Sequence, residues 1–344
     1  MNSHSIQPLV TIGIPTYNRA ALVKSCVQSA LTQTYSNIEV VVSDNASTDD
    51  TLGILKSFND PRLRVVSNPE NVGHVGNFNR CLSEAKGEYF VLLCDDNIVD
   101  PTFLEKCVRL VEKEPGIPVV LAAYNILMVD DATNEKKVVP AILSRKFGTG
   151  IWDGTEILIE YLCGRISTQT LSSIIRTDFL RTNGGYSREH QYACDEASWL
   201  PVLLEGRAGL VNEQCATFIV HNTRVSSELT ADYKLRDLIK VMEEIFAKAE
   251  RKVCNPSTRR KIYRATMCNI AHRAIQELAF LRRNGAGLLA SARRLWGWRA
   301  LLAQCQLVDF VVASRLRLIG RILLPRPVAR FLAGRAPIYG EKRP

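Results

Sequence analysis

Short runs rich in β-branched and aliphatic residues, at 9–14, 38–43, 63–67, 89–93 and 119–124, alternate with helix-period segments at 20–32, 49–58, 76–85 and 101–113. This alternation constrains the chain more than any other feature. Parallel neighbours need a helical crossover between them, so strand and helix in turn imply a parallel sheet with helices on its faces. Runs such as YFVLL at 89–93 are apolar throughout, as strands buried on both faces are. The helix at 101–113 opens with Pro101 at its first position after Asp100, an N-cap residue. The expected fold class is α/β, a Rossmann-like, mostly parallel sheet flanked by helices.

In such sheets ligands bind beyond the carboxyl ends of the strands. The polar clusters fall there: PTYN after the first strand, SDNASTDD after the second, NPENVGHVGN after the third and CDDN after the fourth. Asp95 and Asp96 follow YFVLL directly. Adjacent carboxylates repel unless a cation or a proton neutralises them, and hard divalent ions such as Mg²⁺ and Mn²⁺ combine a few carboxylate oxygens with phosphate oxygens and water. For an isolated Asp-Asp pair, a solvated turn or a helix N-cap is the plain alternative, so its neighbours decide.

Past residue 125 the pattern loosens through a polar segment at 130–137. It resumes with a helix at 154–163, an apolar stretch at 171–175, a turn at 183–185, a helix at 195–205 and a strand at 217–221. From Ala231 the chain reads as helices. The expected organisation is a first domain at 1–228 and a helical region at 229–344. The first residues show neither a basic segment nor a long apolar run, so no leader is expected and the first domain is placed in the cytoplasm. Ten cysteines are scattered without a CxxC pair or an alternation with histidine, and read as reduced, mostly buried thiols.

Five segments together resemble the family 2 glycosyltransferases, from Val10 to about Ser227: VTIGIPTYNRAALVKSCVQSALTQTY, IEVVVSDNASTDDT, NPENVGHVGNFNRCLSEAKGEYFVLLCDDNIVDP, CDEASWLPVLLEGR and FIVHNTRVS. Each is weak alone; their order and spacing make the signal specific. The resemblance implies a GT-A fold and an inverting, non-processive transfer, because the QxxRW segment and membrane helices of the processive branch are missing. It also implies that Pro15, Thr16, Tyr17 and Asn18 line the base and ribose pocket. Asp44 would accept from the base, as a carboxylate can from an imide N–H, and Asn77 would contact the donor. Asp95 would contact sugar or ribose. Asp96 would hold Mn²⁺ or Mg²⁺ against the donor's diphosphate, and His221 would approach the same ion. Asp195, four residues before Trp199, matches the catalytic base that takes the acceptor's proton. Two departures stand out: Cys94 occupies the first place of the family's Asp-x-Asp-Asp motif, and Cys194 replaces the Glu that precedes the base.

The implied activity moves one sugar from a UDP- or dTDP-sugar to a glycan or polyprenyl-linked acceptor in cell-surface polysaccharide synthesis. Two alternatives remain open: a sugar nucleotidyltransferase, whose Gly-rich phosphate loop GIPTYNRA fits poorly, and a catalytically weak relative acting as a scaffold. The formal net charge of +9 resides in the tail, where residues 282–344 carry thirteen Arg and Lys against Asp309 and Glu341. Apolar residues recur there at helical spacing with arginines between them. The uncharged run 300–308 falls far short of the roughly 20 residues that span a bilayer. A basic amphipathic tail of this kind suits the anionic inner face of the cytoplasmic membrane, or else a helical cap on the domain or a partner. Nucleic acid is not an expected partner, since the basic stretch has no recognised binding motif.

Overall fold

The computed structural model describes residues 7–129, 136–141, 143–220 and 230–283. It divides into two compact units, Met1–Ile262 and Tyr263–Pro344. In chain order the first opens with β1 (Val10–Thr16), α1 (Ala20–Leu31), β2 (Ile38–Asp44), α2 (Thr51–Lys56), β3 (Leu63–Ser67), α3 (Gly73–Glu84) and β4 (Tyr89–Leu92). There follow β5 (Ile98–Val99), α4 (Phe103–Lys113), β6 (Val119–Val129), β7 (Lys136–Ala141), β8 (Gly150–Asp153) and α5 (Gly154–Leu162). Then come β9 (Ser173–Arg176), α6 (Thr177–Thr182), α7 (Cys194–Trp199), β10 (Arg207–Val220) and α8 (Ala231–Lys252). The last helix described is α9 (Pro256–Arg283).

The sheet has the order β3-β2-β1-β4-β9-β6-β10-β5. Its first half is parallel, as the alternation requires: β1 pairs in register with β2 (Val10 opposite Ile38) and with β4 (Val10 opposite Tyr89). Period-two alternation sends β1 side chains to opposite faces. Val10, Ile12 and Ile14 join the core built with Val23, Val27, Leu104 and Val108 of α1 and α4. On the other face lies Gly13, where a β-carbon would come within 2.6 Å of the Phe90 ring and 2.9 Å of Cys81 on α3. Glycine lets that helix seat closely over the strand whose loop begins the site.

The second half is mixed. β9 lies antiparallel between β4 and β6, while β10 runs parallel to β6. β10 begins ten residues before the expected 217–221 strand. Its pairing with β6 shifts register twice, between Val211 and Gln214 and between Gln214 and Thr217, which destroys the alternation that identifies strands from sequence. β6 runs on to Val129 because β7 pairs with its far half. That hairpin strand, KKVVPA, reads as a loop by composition, and its Pro140 and two lysines are features of an edge strand. The helix expected at 195–205 is α7 followed by a 3₁₀ turn at Leu200–Leu204, the change coming where Pro201 supplies no N–H.

Among the described residues no helix is long and apolar enough to cross a membrane. His221 and the basic stretch at 284–344, with the membrane reading attached to it, lie outside the described residues.

Candidate active site

The carboxyl ends of β1, β2, β3 and β4 surround a cavity of ≈ 520 Å³. Pro15, Thr16, Tyr17 and Arg19 come to it from β1, Asn71 and His74 from the segment after β3, and Cys94, Asp95, Asp96 and Asn97 from the end of β4. The far wall comes from the less regular half of the chain: Gln169, Thr170 and Leu171, then Gln191, Tyr192, Cys194 and Asp195, with Phe218 of β10. The Tyr17 ring is 42% exposed, an apolar face of stacking size beside the carboxylates.

The loops after β1 and β2 are tied to each other rather than left to a ligand. Asn18, at φ +50°, accepts through Oδ1 from the Thr48 N–H (2.8 Å), and its own N–H donates to Ser47 Oγ (2.9 Å). The Asp49 carboxylate accepts from the Ala20 N–H (3.1 Å), capping the first turn of α1 from another loop. Asp44 is fully buried behind this wall and does not line the cavity. Its Oδ2 accepts weakly from the Ser47 N–H (3.2 Å), while Oδ1 is buried with no hydrogen-bond partner. Such an orphan acceptor costs about 1–3 kcal/mol and marks where a donor is missing.

A buried network of asparagines braces the segment after β3. Asn45 Nδ2 donates to Asn71 Oδ1 (2.8 Å), and Asn45 Oδ1 accepts from Asn68 Nδ2 (3.1 Å) and from the Val72 N–H (3.0 Å). Asn77 donates to the Ser43 and Thr16 carbonyls (3.0 and 3.3 Å) and accepts from the Ser43 hydroxyl (2.6 Å) and from Asn68 (3.2 Å). All four hydrogen-bonding positions of the Asn77 amide are thus used inside the protein. Although Asn77 lines the cavity, its polar atoms join α3 to β1 and β2.

Asp95 is 8% exposed, and its carboxyl is pushed up to about 7, first by burial and then by the charge of Asp96; the Thr16 hydroxyl, Arg19 and the Tyr17 N–H oppose the rise. Asp96 is half-buried and accepts from Asn97 Nδ2 (2.6 Å), while Asn97 Oδ1 accepts from the Ile219 N–H (3.0 Å). Asn97 therefore joins the acidic pair to the end of β10. Cys94 is a thiol: burial first, then the carboxylates of Asp96, Asp95 and Asp195, hold it far above the ordinary thiol range. Cys194 is raised in the same way, by burial and then by Asp195. Neither cysteine restores the negative charge of the acid it replaces.

The cavity thus gathers Pro15, Thr16, Tyr17, Asn77, Asp95, Asp96 and Asp195 onto its surface, whereas Asn18 and Asp44 support it from behind. Sequence reasoning passed over Arg19, although it adjoins PTYN, and Phe78, Gln169 and Phe218, which carry no local signal. An oxygen donor set drawn from Asp95 and Asp96 suits a hard divalent ion. Among the described residues no group of three or more His, Cys, Asp and Glu could hold a metal alone.

The family model described as Glycosyl transferase family 2 matches residues 11–172, from β1 to the turn before β9. This segment carries the family's domain, and the chain is a glycosyltransferase. It is 28% identical over 231 residues to an uncharacterized glycosyltransferase of Haemophilus influenzae, a match covering 64% of this chain and 68% of that protein. It is 37% identical over 106 residues to the UDP-Glc:alpha-D-GlcNAc-diphosphoundecaprenol beta-1,3-glucosyltransferase WfaP of Escherichia coli, covering 31% of this chain and 42% of that one. In fold it is similar to S. aureus TarS 1-349 in complex with UDP, with a TM-score of 0.61 at 19% identity over 94% of this chain and 85% of that one. The expected GT-A type of α/β fold holds.

Proposed function

We propose that the chain is an inverting, metal-dependent transferase moving a single sugar from a UDP- or dTDP-sugar to a glycan or lipid-linked acceptor. One observation carries the reading: the acidic pair Asp95 and Asp96 and the separate carboxylate Asp195 line one cavity together with the exposed Tyr17. Tyr17 offers a face on which the nucleobase stacks, and Asp44 Oδ1 offers the missing partner to an imide N–H once the 44–49 loop admits it. Asp96 would hold Mn²⁺ or Mg²⁺, with Asp95 beside it on the sugar or ribose and His221 a further candidate ligand; the ion would offset charge building on the diphosphate leaving group. Arg19, beside the acids, suits a phosphate oxygen. Asp195 takes the proton of the acceptor hydroxyl as its oxygen attacks the anomeric carbon from the face opposite the nucleotide. A UDP-bound neighbour in fold and a relative named for a diphosphoundecaprenol acceptor support this choice of substrates.

A scaffold reading draws on the neutral thiols at Cys94 and Cys194, each in the place of an acid. One experiment separates the two. The full chain is incubated with Mn²⁺, a panel of nucleotide-sugars and a membrane extract as acceptor source, and nucleotide release is followed for wild type, Asp96→Ala and Asp195→Asn. The expected result is turnover in the wild type and at least a hundredfold loss in each variant. No turnover with any donor defeats the transferase reading. Full activity in Asp195→Asn removes that residue as the base.

A further inference from the structure

The turn that delivers Gln191, Tyr192, Cys194 and Asp195 to the cavity is held from behind by α8, a helix beyond the segment matched by the family model. Asp237 of α8 is 4% exposed. Its Oδ2 accepts from the N–H groups of Tyr192 (2.7 Å) and Ala193 (3.0 Å), and its Oδ1 meets His190 Nδ1 at 2.9 Å. His190 is 1% exposed, and its Nε2 meets Glu244 Oε1 of the same helix at 3.2 Å. The Lys234 ammonium sits 5.5 Å from the centre of the Tyr192 ring, and from α3 His74 Nε2 meets the Gln191 carbonyl at 2.9 Å.

This anchoring does for α7 what the helix does not do for itself. The N-cap residue of α7 is Ala193, which has no side-chain cap, and the helix spans only six residues. The first N–H groups of a helix need partners, and a helix this short depends on tertiary contacts for its stability and direction. Asp237 supplies two contacts, to the N–H groups of the residues three and two before Asp195. We infer that Asp237 is a positioning residue for the transfer step: by gripping Tyr192 and Ala193 it sets the orientation in which Asp195 and Tyr192 face the cavity, so that α8 completes the active site. The inference rests on the reading of Asp195 as the base.

Asp237→Asn in the full chain tests it. Asn keeps the shape but removes the charge that strengthens both backbone contacts. Hydrogen exchange read by mass spectrometry should show peptides over 190–195 exchanging at least tenfold faster, with β1 and β4 unchanged. UDP affinity with Mn²⁺, by calorimetry, should stay within twofold, while kcat for nucleotide release falls at least tenfold. A kcat loss that merely follows lost UDP affinity and lost global stability would reduce Asp237 to a structural role, and unchanged exchange at 190–195 overturns the clamp itself. Glu244→Gln guards against a variant that does not fold, because that side chain is 60% exposed; it should at least double exchange over 190–195 alone, and no change there also overturns the clamp. If the wild type turns over no donor, this inference falls with the proposed function. If the wild type turns over and Asp237→Asn does so equally, the inference falls alone.

Discussion

Asp95 ties the chemistry of the site to the stability of the fold. Its carboxyl is raised from the ordinary 3.8 to about 7, chiefly by burial. The folded protein therefore holds a proton there that the unfolded chain releases near pH 4. A group with a raised folded pKa contributes stability that is complete below its unfolded value and is lost as pH climbs through its folded value. The window runs from about pH 4 to about pH 7, and a shift of roughly three units at 1.36 kcal/mol each amounts to about 4 kcal/mol across it. Asn cannot ionise, so Asp95→Asn should escape the loss. Urea unfolding of both proteins at half-unit steps from pH 4 to pH 8, without added metal or nucleotide, measures the effect. The stability of the variant relative to wild type should rise by up to about 4 kcal/mol, steepest between pH 5 and pH 7. Mn²⁺ with UDP should flatten the wild-type curve, because a nearby cation favours the ionised carboxylate. Parallel curves for the two proteins without ligand would refute the claim that burial raises the Asp95 carboxyl.

Three further outcomes are expected. Asn77→Ala strips buried partners from Ser43, Asn68 and Thr16 and should cost about 2–4 kcal/mol in urea unfolding; an unchanged midpoint with weakened UDP binding would return Asn77 to the role of a donor contact. Gly13→Ala places a methyl group 2.6 Å from the Phe90 ring and should lower stability by about 1–3 kcal/mol, read from the thermal midpoint, and a midpoint at or above wild type would contradict the close seating of α3. EDTA should abolish nucleotide release and leave the unfolding midpoint in place, since no three-residue metal cluster occurs among the described residues; a large fall in the midpoint would point instead to a structural ion.

The parallel half of the fold was legible because its causes are local. Each strand is a contiguous apolar run, each crossover a helix-period segment, and the rule placing ligands at carboxyl strand ends carried the polar clusters to one edge. Asp95 and Asp96 were placed by the strand before them. The mixed half was less legible. Register shifts break β10 into pieces without alternation, and β7 has the composition of a loop. The cavity's far wall depends on pairings that no local pattern reports.

What the sequence alone determined was therefore the class of fold and the edge of the sheet at which the polar clusters, Asp95 and Asp96 among them, gather. Only the tertiary structure decided how those side chains are used. Asn77 spends its amide on partners up to 61 residues away, Asp44 is enclosed with one oxygen unsatisfied, and Asn97 reaches 122 residues along the chain to β10. Asp237 grips the turn before Asp195 across 44 and 45 residues. The physical reason is common to all of them: residue type sets what a side chain can donate, accept or ionise, but burial and the choice of partner are set by neighbours distant in sequence, and these determine its protonation and whether it remains available to a ligand.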